Sequence, residues 1–366
     1  MLKRTRSFLV LVMLLMTVTM SAQVTTATMS GKVTAQDEPI IGATIVAIHE
    51  PSGTRYGTVT NVSGQFNLQG MRTGGPYKVE ISYVGYQTAI YKGINLLLGE
   101  NYVLNVSLKE SSELLDEVVV TASKESNMKS DRAGAIMNAN RDMISNTPTI
   151  SRSISDIMRL SPQGADVGNG FAVGGGNYRQ SFVTVDGAAF NNTFGLGGNL
   201  PANGSPLDAL EQVTVAVTPF DVRQSGFTGG AINAVTRSGD NQFRGTAYMY
   251  FNNENLKGSK VDDYELLRSK AQYYTYGASF GGPIIKDKLF FFVNGEYEDN
   301  VTAGSNYRPR TALGESYSGG NIHRPLQSDM DDMRGFLLNK YNFDPGKYND
   351  YSTDTPAYRV MARVDW

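Results

Sequence analysis

The feature that most constrains the fold is the alternation of apolar and polar side chains within residues 241–366. Successive side chains of a β-strand point to opposite faces, so a period of two predicts long strands with one apolar, aromatic-rich face. The apolar positions are Phe243, Gly245, Ala247, Met249 and Phe251, then Tyr274, Tyr276, Ala278 and Phe280, then Leu289, Phe291, Val293 and Tyr297, and finally Tyr358, Val360, Ala362, Val364 and Trp366. This pattern is typical of transmembrane β-barrels, although a half-buried soluble sheet alternates in the same way.

The composition excludes several classes of protein. The 366 residues suggest two or three domains, and 33 Lys and Arg against 35 Asp and Glu argue against nucleic acid as a partner. The absence of Cys removes disulfides, thiolate metal sites and cysteine nucleophiles. His49 and His323 alone cannot form a multi-histidine metal centre. We therefore expect no catalytic residue, no metal, no cofactor and no enzymatic activity.

The N-terminus predicts export. Lys3, Arg4 and Arg6 precede the apolar run Phe8–Met16, and Ser21-Ala22-Gln23 offers a small-residue cleavage point. This arrangement predicts a signal peptide over residues 1–22, because the apolar run is too short for a transmembrane anchor. No later stretch is apolar enough to cross a membrane as a helix, so any membrane crossing must use strands.

Residues 23–110 predict a small antiparallel β-sandwich. About seven short strands are separated by turn sequences at roughly ten-residue spacing. The turns are Gln36–Pro39, Pro51–Gly53, Asn61–Gly64 and Gly74–Pro76. Phe66 is expected in the core, and His49 is expected to be an exposed histidine at a strand end.

Residues 111–130 predict a linker that contains one short strand. Asp116, Glu117, Val118, Val119, Val120, Thr121 and Ala122 lie between polar flanks. Three consecutive Val residues favour an extended strand over a helix. The segment is either one more strand of a neighbouring domain or a free strand that pairs with the sheet edge of a partner.

Residues 131–240 predict an α+β domain with long glycine-rich loops. Helices are expected at Arg141–Ile144 and Ser153–Leu160, the second with Ser151 or Ser153 as its cap and an apolar stripe of Ile154, Ile157 and Met158. Strands are expected before Asp186-Gly187, after Leu207 and after Gly229-Gly230. The flexible backbone of the two glycines suits a strand that must pass close to a wall. Nucleotide binding is disfavoured because Val173 occupies the third glycine position of the GxGxxG pattern.

Four segments together resemble one family, the TonB-dependent outer-membrane receptors of the Oar-like subset. Gly31–Val33, Pro39–Val46, Thr60–Phe66 and Tyr83–Tyr86 resemble a carboxypeptidase regulatory-like domain, with Asn61 where Asp is usual. Asp116–Ala122 resembles the TonB box, and the order of Val185-Asp186-Gly187, Leu210–Val215 and Gly229–Thr236 resembles the plug domain. Gly281–Phe292, expected to form a turn between strands, resembles the start of the barrel.

The resemblance implies a mainly β architecture: a β-sandwich, an α+β plug and the first strands of a transmembrane antiparallel β-barrel. It implies that Val118–Thr121 contacts the periplasmic energy-coupling protein TonB. It also implies a plug motif of Asp186, Gly187, Gly229, Gly230 and Asn233. The ligand-binding residues are unknown.

The number of strands implies that a barrel is incomplete within residues 241–366. They hold four strong strands, whereas plugged transporters have about 22. An open sheet edge is not viable in lipid, so we expect the sequence to be the N-terminal part of a longer receptor.

Transport is the expected function. The ligand would be large, such as an oligosaccharide, a peptide or a siderophore, and the direction of transport stays open. Outer-membrane lipid and TonB are the expected partners, and a surface lipoprotein cosubunit is an open possibility. The alternative is a cell-surface carbohydrate- or protein-binding adhesion protein, which would leave the box and the plug unexplained.

Overall fold

The structure is a computed structural model that describes residues 25–110, 118–121, 136–149, 152–167, 170–190, 205–217, 228–256, 258, 260–262, 264–265, 270–304, 308–317, 322–348 and 351–366. The expected signal peptide lies outside these residues, as do Asp116, Glu117 and Ala122. The described residues form two compact units. The first comprises those up to Gly245 with Ser279–Asn294 and Met361–Trp366, and the second comprises Thr246–Ala278 and Gly295–Val360.

Strands dominate the described part of the chain, and three α-helices accompany them. The strands are β1 (Ala27–Ala35), β2 (Glu38–Pro39), β3 (Thr44–His49), β4 (Thr54–Val59), β5 (Gln65–Met71), β6 (Gly74–Ser82), β7 (Ala89–Leu96), β8 (Asn101–Val103), β9 (Val106–Ser107), β10 (Val118–Thr121), β11 (Ile136–Ala139), β12 (Gly164–Asp166), β13 (Phe171–Val173), β14 (Phe182–Val185), β15 (Ala188–Ala189), β16 (Leu210–Ala216), β17 (Ala231–Thr236), β18 (Arg244–Asn253), β19 (Lys260–Val261), β20 (Tyr264–Glu265), β21 (Ala271–Ile285), β22 (Leu289–Ala303), β23 (Arg308–Arg310), β24 (Ile322–Leu326) and β25 (Ser352–Asp365). The helices are α1 (Arg141–Asn146), α2 (Ile154–Met158) and α3 (Gln327–Tyr341).

The N-terminal domain is a β-sandwich of two sheets. In the first sheet β1 pairs with β2 and β5 in antiparallel fashion and with β8 and β9 in parallel fashion. The second sheet has the order β10-β7-β6-β3-β4. Apolar residues from both sheets form one core, in which Phe66 is 4% exposed. The predicted sandwich and the predicted position of Phe66 are therefore confirmed. The expectation of a purely antiparallel arrangement is wrong, because β8 and β9 run parallel to β1 and β10 runs parallel to β7.

The prediction of one turn in the sandwich is wrong. Gly74–Pro76 was expected to be a turn, but β6 already begins at Gly74. Gly74 pairs with Leu96 of β7, so the segment carries sheet hydrogen bonding rather than ending it. The Gly and Pro residues favour a turn locally, but the pairing of β6 with β7 keeps this segment in a strand.

The central domain is built on a mixed sheet of order β11-β16-β17-β14-β15. β17 lies between β16, with which it is antiparallel, and β14, with which it is parallel. Both predicted helices are present, and Ile154, Ile157 and Met158 of α2 are buried in the core with the strands. Ser153 is the N-cap residue of α2, and its backbone N–H donates to the Asp156 carboxylate at 3.5 Å.

The strands β18, β21, β22 and β25 form a four-stranded sheet in that order. Gly281-Gly282-Pro283 was expected to lie in a turn, but β21 continues through it to Ile285. The turn follows at Lys286–Lys288, where Asp287 has a φ of +62°. Polar residues that tolerate the left-handed region thus decided the position of the turn, and the glycine pair did not.

The faces of this sheet are reversed relative to a water-soluble protein. Large apolar side chains are exposed, among them Phe243, Met249, Phe251, Tyr276, Phe280, Val293, Tyr358, Val360 and Val364. Polar side chains are buried instead: Thr275, Ser279, Asn294 and Glu296 are each less than 9% exposed. A sheet with an apolar outer face and a polar inner face is the arrangement of a transmembrane β-barrel.

The buried polar face of the second unit is electrostatically paired. The Arg359 guanidinium contacts the Glu296 carboxylate at 2.5 Å and the Glu298 carboxylate at 2.6 Å. The Tyr248 and Tyr273 hydroxyls donate to the same two carboxylates at 2.9 and 3.0 Å. Charges removed from water are stable only when paired in this way.

The helix α3 was not predicted. It lies in the region where only strands and loops were expected, and it contains no buried residue. Its apolar side chains, such as Met333, Phe336 and Leu338, are exposed. Among the residues that the structure describes, no helix has both the length and the apolar character needed to span a membrane.

Candidate functional site

The strand predicted as a TonB box is partly described and forms β10. Val118–Thr121 pairs in parallel with β7 of the sandwich, with Val118 opposite Ala89 and Thr121 opposite Lys92. β-branched residues favour this extended conformation. The structure therefore places these four residues at a sheet edge of the chain itself.

Asp186 and Gly187 form the two-residue turn between β14 and β15. Val185 pairs with Ala188 across the turn, and the two central residues have φ values of +49° and +79°. Positive φ at both positions is required by a type I′ hairpin, for which Asp-Gly is a preferred sequence. The turn holds the Asp186 carboxylate in a fixed position at the end of β14.

The Asp186 carboxylate joins the C-terminal end of β14 to the C-terminal end of β17. It accepts hydrogen bonds from the Thr236 backbone N–H at 2.9 Å and from the Thr236 hydroxyl. The Arg363 guanidinium lies 3.4 Å from the same carboxylate and donates to the Thr236 carbonyl at 2.7 Å. Arg363 belongs to β25, so this cluster connects the central domain to a strand of the four-stranded sheet.

Gly229 and Gly230 directly precede β17, and Asn233 lies in its middle. A Cβ atom on Gly230 would meet Val173 Cγ1 at 2.6 Å and the Ala216 carbonyl at 3.0 Å. The close approach expected at this glycine pair is present, and the wall is formed by β13 and β16. Asn233 is buried, and its side-chain oxygen accepts from the Thr184 hydroxyl at 2.7 Å.

The structure thus brings the five plug-motif residues onto one pair of strands but not into one cluster. Asp186 and Gly187 lie at the C-terminal end of β14, whereas Gly229 and Gly230 lie at the N-terminal end of β17. Because the strands are parallel, these positions are at opposite ends of the pair. The residues set the geometry of the central sheet and form no pocket together.

Sequence reasoning missed a charged cavity of about 1060 Å³ in the first unit. Its lining includes Arg72, Arg141, Glu211, Arg237 and Arg363. Burial raises the pKa of the Glu211 carboxyl, although these arginines act in the opposite direction. No regular spacing links the arginines in the sequence, so only the fold could bring them together.

Arginines also tie the central domain together around Leu207–Leu210. Arg141 of α1 donates to the Leu207, Asp208 and Leu210 carbonyls at 3.2–3.4 Å. Arg237 donates to the Asp208 carbonyl at 3.3 Å and lies over the Phe292 ring, 4.9 Å from its centroid. These contacts are polar and charged, and they join β17 to β22.

His49 is not the exposed histidine that the sequence predicted. It is 6% exposed, and its Nδ1 lies 2.7 Å from the Ser52 hydroxyl. Packing against Tyr77, at 4.9 Å between ring centroids, covers the imidazole. Ser52 is completely buried, and its hydrogen bond with His49 links the end of β3 to the turn that follows. Within the described ranges, no group of acidic residues and histidines could hold a metal ion.

Two families match separate parts of the chain. Residues 28–109 match the family described as a carboxypeptidase regulatory-like domain, and they contain β1–β9. Residues 235–346 match the family described as an outer membrane beta barrel domain. The sandwich and the reversed faces of the four-stranded sheet agree with these two matches.

Several curated proteins are similar to this chain in sequence. The chain is 26% identical over 225 residues to the TonB-dependent transporter Oar of Myxococcus xanthus, covering 59% of this chain and 20% of that protein. It is 29% identical over 270 residues to the TonB-dependent receptor SusC of Bacteroides thetaiotaomicron, covering 69% and 24%. The siderophore receptor PirA from Acinetobacter baumannii is a similar solved structure, at 19% identity and a TM-score of 0.38, covering 48% and 27%. The chain spans about a fifth to a quarter of the length of Oar and SusC.

The protein is an outer-membrane β-barrel protein with an N-terminal carboxypeptidase regulatory-like domain. It is similar in sequence to TonB-dependent transporters and receptors. Its relatives are named as transporters and receptors and not as enzymes.

The close approach at Gly230 generates a first prediction. Gly230→Ala should lower the free energy of unfolding by about 1–3 kcal/mol, because overpacking against Val173 and the Ala216 carbonyl forces the strands apart. The matched control is Gly229→Ala, whose Cβ would lie 3.3 Å from Gln180 Cβ and should cost clearly less. Resistance of the detergent-solubilised chain to proteolysis in urea measures both. Equal losses would contradict this account of β17.

The buried His49 generates a second prediction. Burial, and secondarily the Arg72 charge, lowers the pKa of the imidazole to about 4. The unfolded chain takes up this proton near pH 6.5. The stabilisation by neutral His49 is therefore complete above pH 6.5 and is lost as the pH falls toward 4. The loss is at most roughly 3 kcal/mol.

The measurement is an NMR titration of histidine in the His323→Gln variant of the 366-residue chain, in which His49 is then the one remaining imidazole. We expect a midpoint well below 6. The His49→Gln variant should also lose this part of the pH dependence of unfolding. A midpoint near 6.5 would mean that the imidazole is solvated.

Proposed function

We propose that the whole protein is an active transporter that moves a large ligand across the outer membrane with energy supplied by TonB. The observation that carries this proposal is the order of parts on one chain. A carboxypeptidase regulatory-like domain comes first, and outer-membrane barrel strands come last. Between them lie the short strand Val118–Thr121 and a separate α+β domain.

The central domain is proposed to be the plug. A barrel of about 22 strands encloses a lumen too wide for its own side chains to fill, so it must be closed by another part of the protein. Contacts of the domain with polar positions of the barrel strands support this role. Arg363 of β25 reaches Asp186 and Thr236, and Arg237 donates to the Ser279 hydroxyl of β21 at 3.5 Å.

In this proposal, the plug-motif residues maintain the plug sheet as a unit that can move relative to the barrel. These residues are Asp186, Gly187, Gly229, Gly230 and Asn233. Asp186 and Arg363 meet through charged hydrogen bonds and not through an interlocked apolar surface. Ionic contacts that face a water-filled lumen are individually weak and can be exchanged for water. A pull transmitted along the chain could therefore separate plug from barrel without exposing an apolar core.

The box is proposed to be the point at which TonB applies force. Strand addition draws its affinity from main-chain hydrogen bonds, which any extended segment of this kind can supply. Val118–Thr121 is β-branched throughout and takes the extended form in the structure. Asp116, Glu117 and Ala122 complete the proposed box.

The names of the relatives give limited support for a ligand class. PirA is named as a siderophore receptor, whereas Oar and SusC are named as a transporter and a receptor without a ligand. The proposed cargo is a large ligand, namely an oligosaccharide, a peptide or a siderophore, and only the siderophore appears in the name of a relative. A surface lipoprotein is proposed as an additional partner.

Substitution of Val119 tests the role of the box. Val119→Pro should abolish binding of the periplasmic domain of TonB, because proline removes a backbone N–H and interrupts strand pairing. Val119→Ile keeps the β-branched side chain and should bind like the wild type. Isothermal titration calorimetry with the detergent-solubilised protein measures both affinities.

A contrary result would favour the alternative role in surface binding. If the wild type, Val119→Ile and Val119→Pro all fail to bind TonB, the transport proposal is wrong. If Val119→Pro binds as tightly as the wild type, the TonB contact lies elsewhere in the chain.

A further inference from the structure

The edge of β7 is paired with β10, and the proposed transport function does not require this pairing. Among the described strands, β10 is the outermost strand of the second sandwich sheet and pairs with β7. The register runs through all four residues, from Val118 opposite Ala89 to Thr121 opposite Lys92. The proposed TonB box is therefore already paired as a strand within its own chain.

The path of the chain favours this pairing. Glu110 forms an isolated bridge with Tyr86, and the Gln87 backbone N–H donates to the Lys109 carbonyl at 2.9 Å. The end of the sandwich is thus fixed beside the residues that lead into β7. Residues 111–117 connect this point to β10. A short tether of this kind holds its ends at an effective concentration on the order of millimolar.

At Ile90, the strand β7 is paired on both sides, as an inner strand of a sheet is. Ile90 lies opposite Glu80 of β6 on one side and opposite Val119 of β10 on the other. It is 2% exposed although it is not a member of the sandwich core cluster. An edge strand with unpaired main-chain groups is a template for strand addition, and β7 accepts the chain's own segment in that way.

We propose that the β7 edge of the carboxypeptidase regulatory-like domain is a binding surface for the chain's own TonB box, and that this pairing competes with TonB. The inference rests on the proposed function, because it takes Val118–Thr121 as the segment that TonB binds. The main-chain groups of β10 that are bonded to β7 cannot bond to TonB at the same time. The sandwich would thereby set how much of the receptor is available for coupling.

The competition is expected to be reversible. The pairing involves only four residues on each strand, and it is parallel, which is slightly less stable per residue than antiparallel pairing. TonB would bind the fraction of molecules in which the box is free, so its apparent dissociation constant equals the intrinsic value divided by that fraction. Locking the box should weaken binding, and a longer tether should strengthen it.

A cysteine pair tests the docking itself. The 366 residues contain no Cys, and neighbouring strands are about 5 Å apart, which is within the Cα separation of disulfides. In the whole chain, Thr121→Cys with Lys92→Cys should form a disulfide on mild oxidation with diamide. The matched control is Thr121→Cys with Arg55→Cys, because Arg55 lies in β4 at the opposite edge of the same sheet. Equal yields in the two variants would overturn the docking.

The same variant tests the competition. The oxidised Thr121→Cys/Lys92→Cys protein should bind the periplasmic domain of TonB at least tenfold more weakly than the reduced protein, and reduction should restore binding. If the disulfide forms and TonB binds equally well in both states, the competition is refuted while the transport proposal stands. If neither the reduced variant nor the wild type binds TonB, the transport proposal itself fails.

A change of tether length gives an independent, quantitative test. Lengthening the 111–117 connection about fourfold with Gly and Ser should lower the effective concentration roughly eightfold, because it falls as about the −3/2 power of length. The apparent affinity for TonB should rise by up to that factor. The same insertion after Ser126 leaves the tether to β7 unchanged and serves as the control. Identical affinities in both insertion variants would contradict competition by β7.

Discussion

The constraint on which the rest of the structure depends is the pairing of main-chain groups at the edges of sheets. In lipid an unpaired backbone N–H or carbonyl costs several kcal/mol, so barrel strands must be paired on both sides. In water an unpaired edge is tolerated but accepts other strands. The strand Val118–Thr121 lies at such an aqueous edge of the sandwich. Its pairing with β7 covers an aqueous edge with a segment whose proposed partner is another protein.

The four-stranded sheet and the central domain are joined by a different kind of contact. Arg363 reaches Asp186 and Thr236, and Arg237 reaches Ser279 and the Phe292 ring. Arg363 projects from the polar face of β25, whose other face exposes Tyr358, Val360 and Val364. Arg237 directly follows β17 of the central domain and reaches the polar Ser279 of β21. Charged groups can exchange one partner for another or for water more easily than interlocked apolar side chains can. The proposed plug is thus held by contacts that suit a part that must move.

Much of the fold followed from local patterns. The period of two predicted the barrel strands, and the Val118–Thr121 run predicted a strand, because β-branched residues and alternation act within a few residues. Asp186-Gly187 gave a turn for the same reason. The partner of β10 was not predictable, since a strand pattern does not specify which of two edges it will pair with. The sequence reasoning had left both possibilities open, and the structure shows pairing within the chain.

Other features depended on tertiary context. His49 was expected to be exposed, but Tyr77 and Ser52 cover it, and they are distant or unremarkable in sequence. The helix α3 has no buried face, so it carries no apolar periodicity that could have indicated it. Gly281-Gly282-Pro283 looked like a turn, yet strand pairing continues through it to Ile285. The arginines around Glu211 converge only when β16, β17 and β25 are in place.

The central claim is that one short strand exchanges between two sheet edges. Amide hydrogen exchange of the detergent-solubilised protein, with and without the periplasmic domain of TonB, tests it most directly. In the free protein, slow exchange is expected in both Ala89–Lys92 and Val118–Thr121. On addition of TonB, exchange should accelerate in Ala89–Lys92 while Val118–Thr121 stays protected by its new partner. Protection of both segments that does not change when TonB is bound would contradict the account.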